Sequence, residues 1–235
     1  DHKVPQVKFV DRTFNCRKDH AMEIWRFIRD QDNGITNFHF EIAADLLDDE
    51  ELELLSTMRP GLVQLEIGVQ STNERTLEAI HRKTDIDQIR EMTARINSWG
   101  RIHQHLDLIA GLPWENLESF RHSFDDVYRM EPEQLQLGFL KVLKGSCMEK
   151  MTQECGLQYA SAPPYEVLST RWLPYRDVLV LKQIEEMVEV YYNSRQFCLT
   201  LGELEKAYDS PYEMFEVLAD YYEKNHLFEV NHSRM

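Results

Sequence analysis

The chain has 235 residues, with 26 Lys+Arg against 41 Asp+Glu and a formal net charge of -15 at pH 7. That length suits one large domain, or one domain with a small appendage, and 43% hydrophobic with 11% aromatic residues excludes general disorder. The acid excess argues against a nucleic-acid backbone or an anionic membrane as main partner, since both reward Lys and Arg; no apolar run approaches the ~20 residues of a membrane span, and no signal peptide is evident.

In chain order, strand-like and helix-like segments alternate. Residues 7–10 read as a strand, after which Ala21, Ile24, Trp25 and Ile28 form one buried helical stripe at i, i+3, i+4, i+7. A strand at 38–43 precedes Asp48 and Glu51, a capping box ahead of Leu52, Leu55 and Met58. The strand at 63–69 is followed by Ser71 and Glu74, spaced as a further capping box ahead of Leu77 and Ile80. Ile86, Ile89, Met92 and Ile96 mark the next helix, with Gly100 as its expected stop. A strand at 103–112, a helix carrying Phe120, Phe124, Val127 and Tyr128, and a strand at 135–143 complete the series. Five strands separated by helices at intervals of roughly 30 residues predict a parallel sheet of βαβ units.

Beyond residue 160 the pattern changes. Pro163, Pro164 and Pro174 punctuate a linker, and Val178, Leu181, Ile184, Met187, Val188 and Tyr191 predict a long amphipathic helix. Two more helices are expected at 201–208 and 212–222, and a last strand at 227–230. The expected division is a barrel-like domain over 1–160 and a mostly helical accessory domain over 161–235.

The strands alternate unusually for a sheet covered by helices. His39 and Glu41 share one face, Gln64, Glu66, Gly68 and Gln70 the next, and His103, His105 and Asp107 the third, while Phe38, Phe40, Leu65, Ile67, Leu106 and Leu108 lie opposite. Parallel strands buried on both sides are normally apolar throughout. A polar face therefore lines solvent or a ligand, and the carboxyl ends of parallel strands are where sites form.

Taken by themselves, His39, Glu41, Glu66, His103, His105 and Asp107 resemble a metal-ligand set. One alternative reading is thus a metal-dependent hydrolase using His39, His103, His105 and Asp107; the plainer one is a set of hydrogen-bonded lining side chains. No GxGxxG, GxxxxGK[ST] or GxSxG occurs. The four cysteines, Cys16, Cys147, Cys155 and Cys198, have no CxxC spacing and read as reduced thiols of a cytoplasmic protein. A third reading is a non-catalytic interaction module acting through the helical tail.

Three segments carry a family resemblance: Glu66-Ile67-Gly68-Val69-Gln70-Ser71, then Ile80-His81-Arg82, then Asp107-Leu108-Ile109-Ala110-Gly111-Leu112-Pro113. In that order and spacing they resemble the radical S-adenosylmethionine superfamily, over about residues 4–145. The opening Phe9-Val10-Asp11-Arg12-Thr13-Phe14 is similar to the segment after that superfamily's cluster loop. The resemblance is greatest to the branch of anaerobic coproporphyrinogen oxidase and the methylthiotransferases, and the region after Leu135 resembles a cobalamin-linked subgroup. It implies an α/β fold, a partial open (β/α)6 barrel of the TIM type missing its first strand, with a small helical module. S-adenosylmethionine would lie across the strand ends. Glu41 would face its methionyl amine or ribose region, Gln70 and Ser71 the ribose and site floor, and Arg82 the methionyl carboxylate. Asp107 would bond the ribose, and Gly111 would permit close approach near the adenine.

The same resemblance implies a [4Fe–4S] cluster, but the CxxxCxxC loop that would hold it is not in this sequence. With Asp1 in the first position, the chain reads as a catalytic-barrel fragment of a larger Fe–S enzyme, inactive by itself, with cobalamin a further expected cofactor of the parent. The expected partner is a small-molecule substrate. Neither its identity nor the oligomeric state is legible.

Overall fold

The computed structural model describes residues 4–230, which fall into two compact units. The first takes the chain through Leu108 together with Asp126–Gln136, and the second takes Ile109–Asp125 together with the chain from Leu137 onward.

The first unit begins with β1 (Gln6–Lys8), α1 (Lys18–Asp30), β2 (Asn37–Ile42), α2 (Asp49–Ser56) and β3 (Val63–Gln70). It continues through α3 (Glu74–Ala79), α4 (Ile86–Asn97) and β4 (His103–Ala110), and the chain then forms α5 (Leu117–Tyr128) and β5 (Gln134–Phe139). The sheet order is β1-β2-β3-β4-β5, the sequence order, with parallel pairing and a helix in every crossover. The fold is therefore α/β, five strands of a partial barrel of the TIM type.

Local chemistry explains these elements. The α1 stripe buries Ala21, Met22, Trp25 and Ile28, and Trp25 joins Phe14 and Phe40 in an aromatic cluster. Asp48 caps α2 by accepting from the Glu50 and Glu51 amides at 3.0 and 3.1 Å, and Glu51 reciprocates on the Asp48 amide at 3.1 Å, completing the expected box. The end of β2 is fixed by Asn15, whose side chain both donates to the Ala43 carbonyl at 2.9 Å and accepts from its amide at 3.0 Å.

The α3 cap differs from the expected one. Asn73, not Ser71, is the N-cap, accepting from the Arg75 amide at 3.1 Å, while the Ser71 hydroxyl accepts from the Asn73 amide at 3.1 Å. A serine hydroxyl two residues ahead of an amide closes its own turn, and that competes with capping. Strands β4 and β5 also stop earlier than expected, at Ala110 and Phe139.

In the second unit, Leu140 donates to the Ala110 carbonyl at 2.9 Å, and the amides of Val142 and Val167 donate to the Tyr165 and Leu140 carbonyls at 2.9 and 2.8 Å, flanking an antiparallel bridge between Lys141 and Glu166. Two short helices, α6 (Cys147–Lys150) and α7 (Thr152–Cys155), lead to the antiparallel pair β6 (Gln158–Tyr159) and β7 (Val167–Ser169). None of these four was expected, because each is too short for periodicity to register. Gly111, at φ +87°, faces this segment: a Cβ there would come within 2.7 Å of Val167 Cγ1.

The helical portion follows as α8 (Tyr175–Met187), α9 (Cys198–Leu204) and α10 (Pro211–Lys224). Val178, Leu181, Ile184 and Met187 are buried along α8, and the helix runs on into a π-helical turn over Val188–Asn193. Ser210 caps α10 with Pro211 in the first turn. Phe124 packs edge-on to Tyr212 and Phe215, at centroid distances of 5.6 and 5.7 Å, and Asp125 accepts from the Tyr212 amide at 2.8 Å. The segment expected as a strand at 227–230 is instead a 3-10 turn over Leu227–Glu229, following His226 in the left-handed region. With no strand beside it, an apolar run of this length has nothing to pair with and closes locally. No helix among the described residues is long and apolar enough to cross a membrane.

Candidate active site

Parallel register places the polar residues of the first unit in rows. Lys8 is beside His39, His39 beside Gln64 and Gln64 beside His103; Glu41 is beside Glu66 and Glu66 beside His105; Gly68 is beside Asp107. The alternation read in the sequence is thus a single face, with Phe40, Leu65, Ile67, Leu106 and Leu108 buried behind it.

At the lower rows charges pair off. Lys8 Nζ and His39 Nε2 lie 2.8 and 2.7 Å from the same Glu66 oxygen, and His105 Nε2 lies 2.9 Å from Asp107 Oδ1. Burial works to raise Glu66, but the Lys8 ammonium, aided by His105 and His39, holds its carboxyl below the usual range. Burial and the Lys8 charge push His39 down. Burial also opposes the charge on His105, yet Asp107, Glu66 and a bond with Gln136 carry its pKa above the ordinary imidazole value. Lys8 and Gln136 escaped sequence reasoning; Lys8 comes to this face because parallel register sets it directly beside His39 on the adjacent strand.

Toward the carboxyl ends the pairing is looser. Glu41 is raised by burial and by the charges of Glu66 and Asp107, with Lys8 and Arg82 acting against them. Gln70 ends β3 at φ +70°, an uncommon conformation for glutamine, where the β3–β4 register shifts between Gly68 and Gln70. That bulge folds the Gln70 amide back over Gly68: a Cβ at Gly68 would overlap Gln70 Nε2 and lie 3.4 Å from Arg82 Nη2. Gln70 Oε1 is buried without a hydrogen-bond partner among the described residues.

Arg82 reaches this place through the end of α3. His81 adopts φ +56° and the amides of His81 and Arg82 bond the Glu78 and Leu77 carbonyls at 3.0 and 2.9 Å, a Schellman stop with histidine where glycine is usual. The guanidinium then donates to the Gly68 carbonyl at 2.6 Å. Burial of that head lowers its pKa, while Asp45, Glu41 and Asp107 support its charge.

The structure accordingly brings Glu41, Gln70, Arg82 and Asp107 into one electrostatic neighbourhood, with Ser71 fully buried beside Gln70. Gly111 belongs to the second unit, where its missing Cβ makes room for Val167. His39 and His105 each turn to a carboxylate, and no group of three or more His, Cys, Asp or Glu among the described residues is arranged to hold a metal ion. The hydrolase set His39, His103, His105 and Asp107 therefore does not converge. Cys16, Cys147 and Cys198 are exposed, Cys155 is buried, and together they do not fit an iron–sulfur cluster.

Buried acceptors without donors, beside one guanidinium, suit a ligand that carries hydroxyls, an ammonium and a carboxylate. Comparisons with known proteins agree. Residues 1–127 match the family model described as "Radical SAM superfamily", and residues 153–235 match "Protein of unknown function (DUF4080)". The chain is 31% identical over 107 residues to oxygen-independent coproporphyrinogen III oxidase of Salmonella typhimurium, covering 43% of this chain and 23% of that protein. It is 29% identical over 106 residues to the coproporphyrinogen-III oxidase-like protein HemZ of Bacillus subtilis, covering 45% and 21%. The chain thus spans less than a quarter of these relatives. Among solved structures, the fold is similar to coproporphyrinogen III oxidase (HemN) of Escherichia coli, with a TM-score of 0.58 at 18% identity over 80% of this chain and 41% of that one. It is also similar to the methyltransferase TsrM of Kitasatospora setae, solved with cobalamin and a [4Fe–4S] cluster, with a TM-score of 0.57 at 18% identity over 74% and 36%. With its family match extending over more than half of its length, the chain belongs to the radical SAM superfamily.

Proposed function

We propose that this chain is the S-adenosylmethionine-binding barrel portion of a radical SAM enzyme, with residues 1–160 as the barrel and 161–235 as a helical accessory domain. The observation that carries the reading is the neighbourhood of Glu41, Gln70, Arg82 and Asp107 around the unsatisfied Gln70 Oε1. Glu41 would accept from the methionyl ammonium, Asp107 from the ribose hydroxyls, and Gln70 and Ser71 would line the floor. Arg82 is bonded to the Gly68 carbonyl through one nitrogen, and its remaining donors suit the methionyl carboxylate.

In such enzymes S-adenosylmethionine bound at a [4Fe–4S] cluster supplies one-electron chemistry. The described residues do not supply that cluster's ligands. What this chain's residues contribute is orientation of the ligand and exclusion of water from it. The TsrM likeness supports cobalamin as a further cofactor of the whole enzyme, and the coproporphyrinogen oxidase relatives support a small-molecule substrate. A cytoplasmic setting accords with the four free thiols.

The test is calorimetric titration of S-adenosylmethionine into the chain and its Asp107→Ala variant. Loss of about tenfold or more in affinity, the scale of one charge-assisted bond, is expected. Equal binding by the two proteins, or none by either, counts against the assignment.

A further inference from the structure

Of the polar-face residues that the proposed function leaves without a task, His105 is the one in contact with a proposed ligand residue. It precedes Asp107 by two positions on β4, so both side chains project on the same face. The two side chains are 8% and 16% exposed. Nε2 of the imidazole and Oδ1 of the carboxylate are 2.9 Å apart, an ion-pair contact rather than an aligned hydrogen bond, and both atoms are buried with no hydrogen-bond partner elsewhere. Each therefore answers the other's need.

The surroundings favour the charged ring. Glu66 is its register neighbour on β3, and Gln136 on β5 hydrogen-bonds it. Farther along the face, Lys8 on β1 and His39 on β2 are both engaged with Glu66, and His103 lies two residues back on β4. The cations of the first two strands are thus engaged by Glu66, and Asp107 is shared by His105, in contact at 2.9 Å, and the more distant charge of Arg82, with Glu41 as the neighbouring carboxylate.

We propose that His105 is a positioning residue: as an imidazolium it clamps Oδ1 of Asp107, holds Oδ2 ready to accept a ligand hydroxyl, and ties the affinity of the site for an adenosyl ligand to its own protonation. The inference rests on the reading of Asp107 as a ribose-binding residue. A bond to a charged donor is roughly twice as strong as one to a neutral donor, so the clamp slackens when the ring loses its proton. A carboxylate free to rotate in a site built for one orientation binds less well.

The experiment measures the dissociation constant of S-adenosylhomocysteine, which keeps the ribose and adenine and lacks the reactive sulfonium. It uses the full chain from about pH 5.5 to 9, bracketing the ordinary imidazole pKa. The ligand's own ammonium titrates identically for every variant. The wild type is expected to lose about tenfold in affinity as pH rises through the His105 transition, the size of one charge-assisted contact. His105→Gln should start about tenfold weaker and lack that transition, and His39→Gln should retain it. Wild-type affinity and pH dependence in His105→Gln overturns the proposal. If Asp107→Ala weakens binding while His105→Gln does not, only the positioning role falls; if Asp107→Ala binds as the wild type does, the ribose assignment falls with it. Independently of binding, the His105 ring resonance should titrate at lower pH in Asp107→Asn, and an unmoved titration overturns the clamp.

Discussion

Gly68 in the first unit and Gly111 in the second both lack a β-carbon against a close neighbour, but the neighbours differ in kind. At Gly68 they are the far ends of Gln70 and Arg82, flexible polar groups folded over the strand toward the carboxyl-end face. At Gly111 the neighbour is the branched body of Val167, and the backbone itself sits at φ +87°. The contrast extends to the polar groups. The second unit closes several of its polar groups on one another, Asp125 on the Tyr212 amide, Tyr191 on Tyr222 across 2.9 Å and Glu166 on Lys182, and atoms it leaves over, Tyr212 Oη and Arg121 Nε, lie in its helical packing away from any strand end. The first unit keeps Gln70 Oε1 unsatisfied and the Glu41 carboxyl raised by burial and by its acidic neighbours. What distinguishes the first unit is that its unsatisfied acceptor stands at a strand end among groups of both charges, where a ligand bringing its own donors would complete it.

Mutations can break this comparison. The largest effect is expected from Phe124→Ala, which empties the place between Tyr212 and Phe215 and should cost about 3–5 kcal/mol in denaturant unfolding. Gly111→Ala should cost about 2–4 kcal/mol, from the left-handed backbone and the overlap with Val167. Adding Val167→Ala to it should not recover the whole loss, because it relieves the overlap and leaves the backbone strain. Gly68→Ala should do the reverse, changing stability by less than about 1 kcal/mol, since only side-chain ends must move. It should nonetheless weaken S-adenosylmethionine by about tenfold as Gln70 and Arg82 are displaced. Unaltered binding in Gly68→Ala would remove the distinction between the two glycines.

The smallest and most discriminating effect concerns pH. His105 is raised in the folded state, so its stabilisation is fully present below the unfolded imidazole pKa of about 6.5 and is lost as pH rises through the folded value. His39 is lowered, so its environment costs stability as pH falls through that unfolded value toward its own folded one. In unfolding titrations His105→Gln should flatten the alkaline side of the stability profile and His39→Gln the acid side. Identical profiles for the two variants would mean that the rows of the polar face do not differ as their partners imply.

Much of this face was legible in the sequence because strand parity is strict: once His39, Glu41, Glu66, His105 and Asp107 alternate with Phe40, Leu65, Ile67 and Leu106, their common side follows. The ordered motifs then indicated what that side receives. What parity does not encode is departure from regular backbone. The left-handed Gln70, the register shift beside Gly68 and the Schellman stop at His81 together decide where Arg82 points, and Gln70 and His81 stand in left-handed backbone where glycine is usual. The mis-assigned Ser71 cap has the same origin, a hydroxyl bonding within its own turn. In the second unit, β6 and β7 were invisible because strands of two and three residues show no alternation.

Trp114 holds φ +64° in the loop after β4, and its indole meets that of Trp172 at 4.5 Å and 42°, with the Trp172 turn pinned by the Thr170 hydroxyl on the Trp172 and Leu173 amides. Both indoles belong to the second unit, whereas Trp25 and Trp99 belong to the first. Two indoles at that separation couple their strong far-ultraviolet transitions and give an exciton pair in circular dichroism, to which Trp25, held at a site with no solvent exposure in the first unit, does not contribute. The exciton pair therefore follows the second unit by itself in an unlabelled sample, and the temperature at which it fades, set against that of the whole chain's helical signal, reports whether that unit melts apart from the rest.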